Sequence, residues 1–322
     1  MAIARRHALV AIALALLLPM GPAHAAYPEK PVTLVVPFPP GGRTDLTARL
    51  LAQHLPRHLG RAALVVNKAG AGGVLGAKEL AGAAPDGYTL GVFSTAVVTA
   101  QYTVPTPTNL GDYAAIAVVN VDPMALAVKS DAPWKSLEEL VAHGRANPGK
   151  LRIGMIPGAS AQIFAAGFAN AAGLKGTFVP FPGDAPGAAA LAGGHIDVHV
   201  AVPVSYKALV EAGKVKMLGV AADSRTALYR DVPTFRENGV DFVIGSFHIV
   251  FAPRRTPEEV LAVLETAIER TMREPGLVKQ MADTSLGHAW LNRKDTAVFL
   301  ARQDEVNRRV IEAVGMRVPP KK

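Results

Sequence analysis

Short runs of β-branched and apolar residues recur along this chain, each followed by a Gly- or Pro-rich loop and then a helical stretch, and this alternation constrains the fold more than any other feature. Val32-Thr33-Leu34-Val35-Val36, bounded by Pro31 and Pro37, predicts a parallel strand buried on both faces. Phe38-Pro39-Pro40-Gly41-Gly42 cannot continue it as regular structure. Thr44 or Asp45 can then cap a helix whose apolar positions include Leu46, Leu50, Leu51 and Leu55. The unit repeats as a strand over 63–66, a Gly-rich turn over 69–73 and a helix over 74–83. After the Pro85-Asp86-Gly87 turn, a third strand over 88–93 ends in Ser94-Thr95. Strand, loop and helix in this order give an α/β fold with a parallel sheet.

A second series begins near residue 123. Strands are expected over 114–121 and 124–128 around a break at Asp122-Pro123. Ser136 to Glu139 has the form of a capping box opening a helix to about residue 146. A strand over 151–155, the loop Pro157-Gly158-Ala159-Ser160 and a helix over 161–172 with Gly173 as its C-cap follow. Strands over 177–181, 196–202 and 215–221 alternate with helices over 185–192 and 206–212. One more strand over 243–251 precedes helices over 256–273, 275–283 and 295–314. With 322 residues, the pattern reads as two α/β lobes and a helical C-terminal region.

Residues 1–25 stand apart from this pattern. Arg5 and Arg6 precede an apolar run of 13 residues, 8–20, and Ala23-His24-Ala25 places small residues where a signal peptidase reads. The run is shorter than the ~20 residues a membrane-spanning helix needs. The expectation is a cleaved secretory signal, with the exported chain starting at Ala26 and placed in the periplasm. The sequence has no Cys, which excludes a lipoprotein anchor, disulfides, thiolate metal sites and a Cys nucleophile. The formal net charge is +8. The basic residues are dispersed and the C-terminal Lys321-Lys322 is only a two-residue tail, so no nucleic-acid partner is expected.

In open α/β sheets, ligands lie beyond the carboxyl ends of the strands. Gly41-Gly42, Gly72-Gly73 and Ser94-Thr95 occupy three such ends in the first lobe; Gly158-Ala159-Ser160 and Gly183-Asp184 occupy equivalent places in the second. Glycine permits close backbone approach, and the helix after each loop aims free N–H groups at the same space. Such a cleft suits a small carboxylate; the alternative is that the glycines only make tight turns. Sharper motifs fail. Leu75 stands where a dinucleotide fingerprint after Gly70 and Gly72 needs Gly, and no closing Gly follows Ser160 as a nucleophile elbow requires. His195, Asp197 and His199 alternate, but on a strand the two His Cα atoms lie about 13 Å apart, too far for one metal ion.

Seven blocks, in order, resemble the Bug-type receptors, the extracytoplasmic solute-binding proteins of tripartite tricarboxylate transporters. They are Tyr27-Pro28-Glu29-Lys30-Pro31-Val32; Val35 through Asp45; Asn67-Lys68-Ala69-Gly70-Ala71-Gly72-Gly73; Ala84-Pro85-Asp86-Gly87-Tyr88-Thr89-Leu90; Gly193-Gly194-His195-Ile196-Asp197; Asp231-Val232-Pro233-Thr234; and Ala252 through Pro257. The resemblance implies a two-lobed periplasmic binding protein of the type II arrangement. Lobe 1 would combine 26–122 with 226–322, and lobe 2 would be 123–225. It implies a small carboxylate held largely by main-chain amides, with contacts from Phe38, Gly41, Gly42, Asp45, Gly73, Ser94 and Thr95 in lobe 1 and Ser160, Ala161 and Gln162 in lobe 2. Asp45 can instead cap its helix. Arg43 is placed to meet a second ligand carboxylate or to lie solvated on the lip. His248 would sit at the mouth and make binding pH-dependent near its ordinary pKa of about 6.5.

The chain departs from the family pattern chiefly in lobe 2 and at Ser246-Phe247-His248-Ile249, which lacks the common Trp and Gly. The expectation is a monomeric receptor with no chemical step, metal or organic cofactor, which passes its solute to membrane transporter subunits. The alternatives are a solute sensor serving a signalling partner and a secreted α/β hydrolase using Ser94 or Ser160.

Overall fold

The computed structural model describes residues 27–104, 108–156, 160–225 and 229–318; the expected signal peptide, the Pro157-Gly158-Ala159 loop, the Ser160 side chain and the Lys321-Lys322 tail lie outside the described part. The first series is β1 (Val32–Val36), α1 (Arg43–His54), α2 (Pro56–Leu59), β2 (Ala63–Asn67), α3 (Val74–Gly82), β3 (Thr89–Ser94), α4 (Ala96–Thr103) and β4 (Tyr113–Pro123). The second is β5 (Ala125–Lys129), α5 (Leu137–Ala146), β6 (Arg152–Met155), α6 (Ser160–Ala171), β7 (Thr177–Pro180), α7 (Asp184–Ala192), β8 (Val198–Ala201), α8 (Lys207–Glu211) and β9 (Val215–Val220). The chain then adds β10 (Gly245–Pro253), α9 (Glu258–Met272), α10 (Pro275–Asp283), β11 (His288–Leu291) and α11 (Arg293–Ala313).

Two sheets result, in the orders β11-β4-β10-β3-β1-β2 and β7-β6-β8-β5-β9. β1 runs parallel to β2 and β3, with Val35 beside Val66 and Gly91. Val32, Leu34, Val35 and Val36 are fully buried, because helices cover both faces of the sheet. One face packs on Leu50, Leu51, Leu264 and Ile268, and the other on Leu80, Val98 and Leu300. In the second sheet β6 is parallel to β7 and β8, and β5 is antiparallel to β8 and β9.

The lobes are joined where β4 hands over to β5 through Met124 alone, and again where the chain returns from β9 to β10. The expected break at Asp122-Pro123 is absent: β4 runs through both residues, pairing Ser246 with Asp122 and Gly245 with Pro123. Proline is tolerated there because this end of β4 lies beyond Val118 and Asn120, the residues that pair with β11, and is an edge on that side. The packing also divides the chain differently from an expected boundary at residue 225. Phe235, Val240, Phe242 and Ile244, together with Val310 and Ile311 of α11, lie in the core of the second sheet. At its other end α11 packs Leu300 on the first sheet, and its Thr296 hydroxyl accepts the Val118 N–H at 3.0 Å. A helix of 21 residues, about 30 Å long, therefore spans both lobes.

His195, Asp197 and His199 do not share a strand face as one group. His195 is exposed in the turn before β8, Asp197 pairs with Arg152 at 2.7 Å, and His199 is buried against the Tyr206 hydroxyl at 3.0 Å.

Candidate functional site

Because β1, β2 and β3 are parallel, the helices that follow them all start at one edge of the sheet. The N-terminal positions of α1, α3 and α4 are Gly42, Gly73 and Thr95, and none of these helices has a side-chain cap. These three helix starts, each at the positive end of a helix dipole, thus lie along one rim, with Leu75 N of α3 donating to Gly70 O at 3.4 Å and other first-turn N–H groups turned toward it. Gly73 has φ +100°, and a Cβ there would lie 3.2 Å from the Phe38 ring, so the loop before α3 closes onto Phe38 only with glycine.

A cavity of about 530 Å³ opens at this rim. Phe38, Pro39, Pro40 and Ala96 give it apolar surface; Ser94, Thr99 and Ser246 add hydroxyls; Gly42, Gly72, Arg43, Thr44 and His248 complete its wall. Gly73 borders an adjoining recess with Phe38 and Ser94. Of the residues expected from the sequence, Phe38, Gly42, Arg43, Ser94 and His248 are brought to this cavity.

The side chains of Asp45, Thr95, Arg43 and His248 have other partners. Asp45 is not the N-cap of α1, since Gly42 holds that position. Its buried carboxylate accepts hydrogen bonds from Gly41 N at 2.9 Å, Arg49 Nε at 2.8 Å and Asn67 Nδ2 at 2.9 Å. Burial alone would raise its pKa, but the hydrogen bonds from Arg49, Gly41 and Asn67 hold it below the ordinary carboxylate value. Thr95 is buried; its hydroxyl donates to Gly245 O at 3.3 Å and accepts from Phe247 N at 3.0 Å, pinning the end of β3 to β10. Arg43 is ion-paired with Asp122 and donates to Ser285 O at 3.4 Å. Asp122 is buried and also accepts Gly287 N at 2.7 Å.

His248 overturns the expectation of a titrating group at the mouth. It is 1% exposed, with Nε2 at 3.1 Å from the Thr44 hydroxyl and Nδ1 at 3.1 Å from the Thr47 hydroxyl. Burial pushes its pKa down to about 4, so the ring is neutral at physiological pH. Ser94 is its cross-strand neighbour on β3, but the Ser94 hydroxyl accepts the Ala96 N–H at 3.4 Å instead. With both its nitrogens held by threonines, His248 is not turned toward Ser94 as a base, so it gives no support to a hydrolase at this site.

In the second lobe, α6 begins at Ser160 and α7 at Asp184. Ala161 is buried in the second core, which turns its side chain away from solvent. Gln162 is partly buried. Neither borders the first-lobe cavity. Asp184, at the start of α7, accepts the Ser205 hydroxyl at 2.9 Å; burial raises its pKa, partly offset by Ser205 and by the charge of Arg43. Sequence reasoning missed Thr47 and Asp122 as parts of this region and read Thr44 only as a possible helix cap, whereas Gly183-Asp184 was already placed among the loop ends. A period-2 reading of Asn120-Val121-Asp122 would have put two polar side chains on one strand face; both reach Gly287.

The chain is similar to known proteins over most of its length. Residues 47–316 match the family model described as "Tripartite tricarboxylate transporter family receptor". The UPF0065 protein in the gbd 5′ region of Cupriavidus necator is 32% identical over 90% of this chain and 89% of its own length. Protein BugT of Bordetella pertussis is 29% identical over 88% of each chain. Among solved structures, a TctC solute-binding protein from Polaromonas without ligand superposes with a TM-score of 0.84 at 31% identity, covering 89% of this chain and 99% of that one. MatC from Rhodopseudomonas palustris with bound malate gives 0.69 at 29% identity, over 88% and 100% of the two chains. An R. palustris protein with adipate gives 0.71 at 27% identity, over 91% and 99%. The seven sequence blocks, the two sheets with their cleft rim and these matches agree: the chain belongs to the receptor family of the tripartite tricarboxylate transporters.

Proposed function

We propose that this protein captures a small carboxylate solute between its lobes and delivers it to the membrane components of a tripartite tricarboxylate-type transporter. The observation that carries this reading is that α1 and α4 both begin at one cavity, with the start of α3 at the recess beside it. A carboxylate is the small group that best matches such an array of N–H donors and dipoles. Main-chain groups at Gly42, Gly73 and Ser94, with the Phe38 ring, form the first-lobe half of the site, and Gly41, whose N–H is given to Asp45, shapes its loop. The start of α6, Ser160 to Gln162, supplies the second-lobe half when the lobes close. Asp45, Thr95 and His248 act from behind, holding the loops that present those amides.

The lobes, expected as 26–122 with 226–322 and as 123–225 but with 235–244 and the end of α11 packed on the second sheet, move about the β4–β5 and β9–β10 crossings. The superposition is closer on the unliganded relative than on the two with dicarboxylates, which supports reading the present structure as the open form. The protein works as a monomer in the periplasm after residues 1–25 are removed. That last step is supported by Arg5, Arg6, the apolar run and the Ala23-His24-Ala25 site.

The test is calorimetric titration of residues 26–322, stripped of carried-over solute by unfolding and refolding, with a panel of organic acids and their methyl esters. Binding of an acid with at least a hundredfold loss on esterification is expected. Equal binding of acid and ester would contradict the carboxylate reading.

A further inference from the structure

A second cavity, of about 250 Å³, lies at the crossings between the lobes but outside the cleft. Residues of β10 alternate between the two: Ser246 and His248 border the cleft cavity, whereas Gly245 and Phe247 border this one, so the cavities lie on opposite faces of the strand. The walls come from both crossings and from the helix that spans the lobes: Pro123 ends β4, Ala221 and Ala222 follow β9, Gly245 starts β10, and Phe299 and Gln303 belong to α11. Phe247 and Phe299 meet edge to face with ring centroids 5.0 Å apart and give the cavity an aromatic side. Gln303 is 5% exposed, yet its Oε1 is buried with no hydrogen-bond partner among the described residues. A buried acceptor without a partner is destabilising, and a donor brought by a ligand relieves it.

We propose that this cavity is a second ligand site, taking a small neutral aromatic molecule that bears a primary amide, and that its occupation opposes closure of the cleft. The ring lies against Phe247 and Phe299. The amide N–H donates to Gln303 Oε1, and the amide carbonyl is the complementary acceptor for Gln303 Nε2. Because this cavity and the cleft lie on opposite faces of the crossing strands, lobe motion that narrows the cleft spreads the walls behind it. A ligand that fits the present spacing then binds the open form better and, by linkage, weakens solute binding by the same factor. The effect on closure rests on the hinge reading above; the site itself does not.

Benzamide is the probe, titrated by calorimetry into residues 26–322, with methyl benzoate as a molecule of similar size that has no N–H. Saturable benzamide binding is expected, at least tenfold tighter than that of methyl benzoate. Gln303→Leu removes the unpartnered acceptor without emptying its space, and Ala222→Leu fills the cavity from the second lobe. Each is expected to weaken benzamide at least tenfold while still melting cooperatively. Saturating benzamide is expected to weaken the tightest-binding organic acid of the panel at least fivefold in wild type and not in Gln303→Leu, which separates this site from competition inside the cleft. No saturable binding, equal binding of methyl benzoate, or benzamide binding that neither folded variant weakens would overturn the site. Benzamide bound at the site with acid affinity unchanged overturns the effect on closure. Binding of no acid overturns the carboxylate reading, and the benzamide titrations still decide the site.

Discussion

Replacing Asp45 by alanine tests how the cleft rim is held. The carboxylate accepts from Gly41 N, Arg49 Nε and Asn67 Nδ2, all between 2.8 and 2.9 Å, and its side chain is 3% exposed. A hydrogen bond to a charged group contributes about 1.5–3 kcal/mol, but Gly41 and Arg49 are exposed and recover water when the carboxylate is lost. Allowing about 1 kcal/mol for each of three bonds gives a loss of about 3 kcal/mol, or roughly 6–12 °C in Tm. Asp45→Asn keeps one acceptor oxygen and loses the pair with Arg49, so it should fall about midway. Urea unfolding of wild type and both variants measures the loss, and carboxylate titration should show weaker binding as the Gly41-Gly42 loop is released. The pH dependence has a definite sign. A carboxylate whose folded pKa is depressed adds stability above its unfolded pKa of about 3.9, and that stability disappears as pH falls through the lower folded value. Asp45→Ala should therefore lose its deficit against wild type only in strong acid. A loss under about 1 kcal/mol at neutral pH would refute the claim that this residue anchors the loop.

Other predictions follow from the same structure. His248 and His199 both have folded pKa values near 4 because they are buried, whereas unfolded histidine titrates near 6.5. Stability is then full above pH 6.5 and falls as pH drops toward 4, by about 3 kcal/mol per histidine; His248→Gln should flatten its share of that slope in acid denaturation curves. Carboxylate affinity should be flat from pH 5.5 to 8 as far as His248 is concerned, and a step near pH 6.5 that His248→Gln removes would contradict its neutral, enclosed state. At the crossing, a Cβ on Gly245 would lie 2.8 Å from the Asp122 carbonyl oxygen, so Gly245→Ala should cost about 1–3 kcal/mol by urea midpoint. Phe242 packs on Phe164 of the second lobe with ring centroids 5.4 Å apart, so Phe242→Ala should cost about 3–5 kcal/mol and speed amide exchange in the second sheet more than in the first.

Much of the framework was legible in the sequence for a simple reason. Central parallel strands are buried on both faces and write themselves as continuous apolar runs, as 32–36 does. Helices with alternating burial, such as α9 and α10, were equally visible. Where local and tertiary signals diverged, the reading failed. Ala96–Thr103 carries Val97-Val98, a β-branched pair that hides a short helix, and His288–Leu291 is a short, half-buried strand without clear alternation. Asp122-Pro123 looked like a break because Asp and Pro are poor strand formers, yet pairing with β10 carries the strand through them.

The candidate site divides in the same way. The Gly loops and their helices are local in sequence, so the rim could be read. The partners that decide what each side chain does are distant: Arg43 meets Asp122 across 79 positions, and Thr44 meets His248 across 204. No periodicity carries that information, and so Arg43 and His248 read as free groups facing a ligand when they are in fact committed to the protein.

The central claim, that a carboxylate is held at the helix N-termini of the cleft, is tested most directly by hydrogen exchange of residues 26–322 with and without the tightest-binding acid. The account predicts slowed exchange at Gly42 to Thr44, Gly72, Val74 and Val97, together with the first turn of α6. Slowing confined to other surfaces, such as the groove between α9 and α11 that holds Trp290 and Arg293, with these amides unchanged, would contradict it.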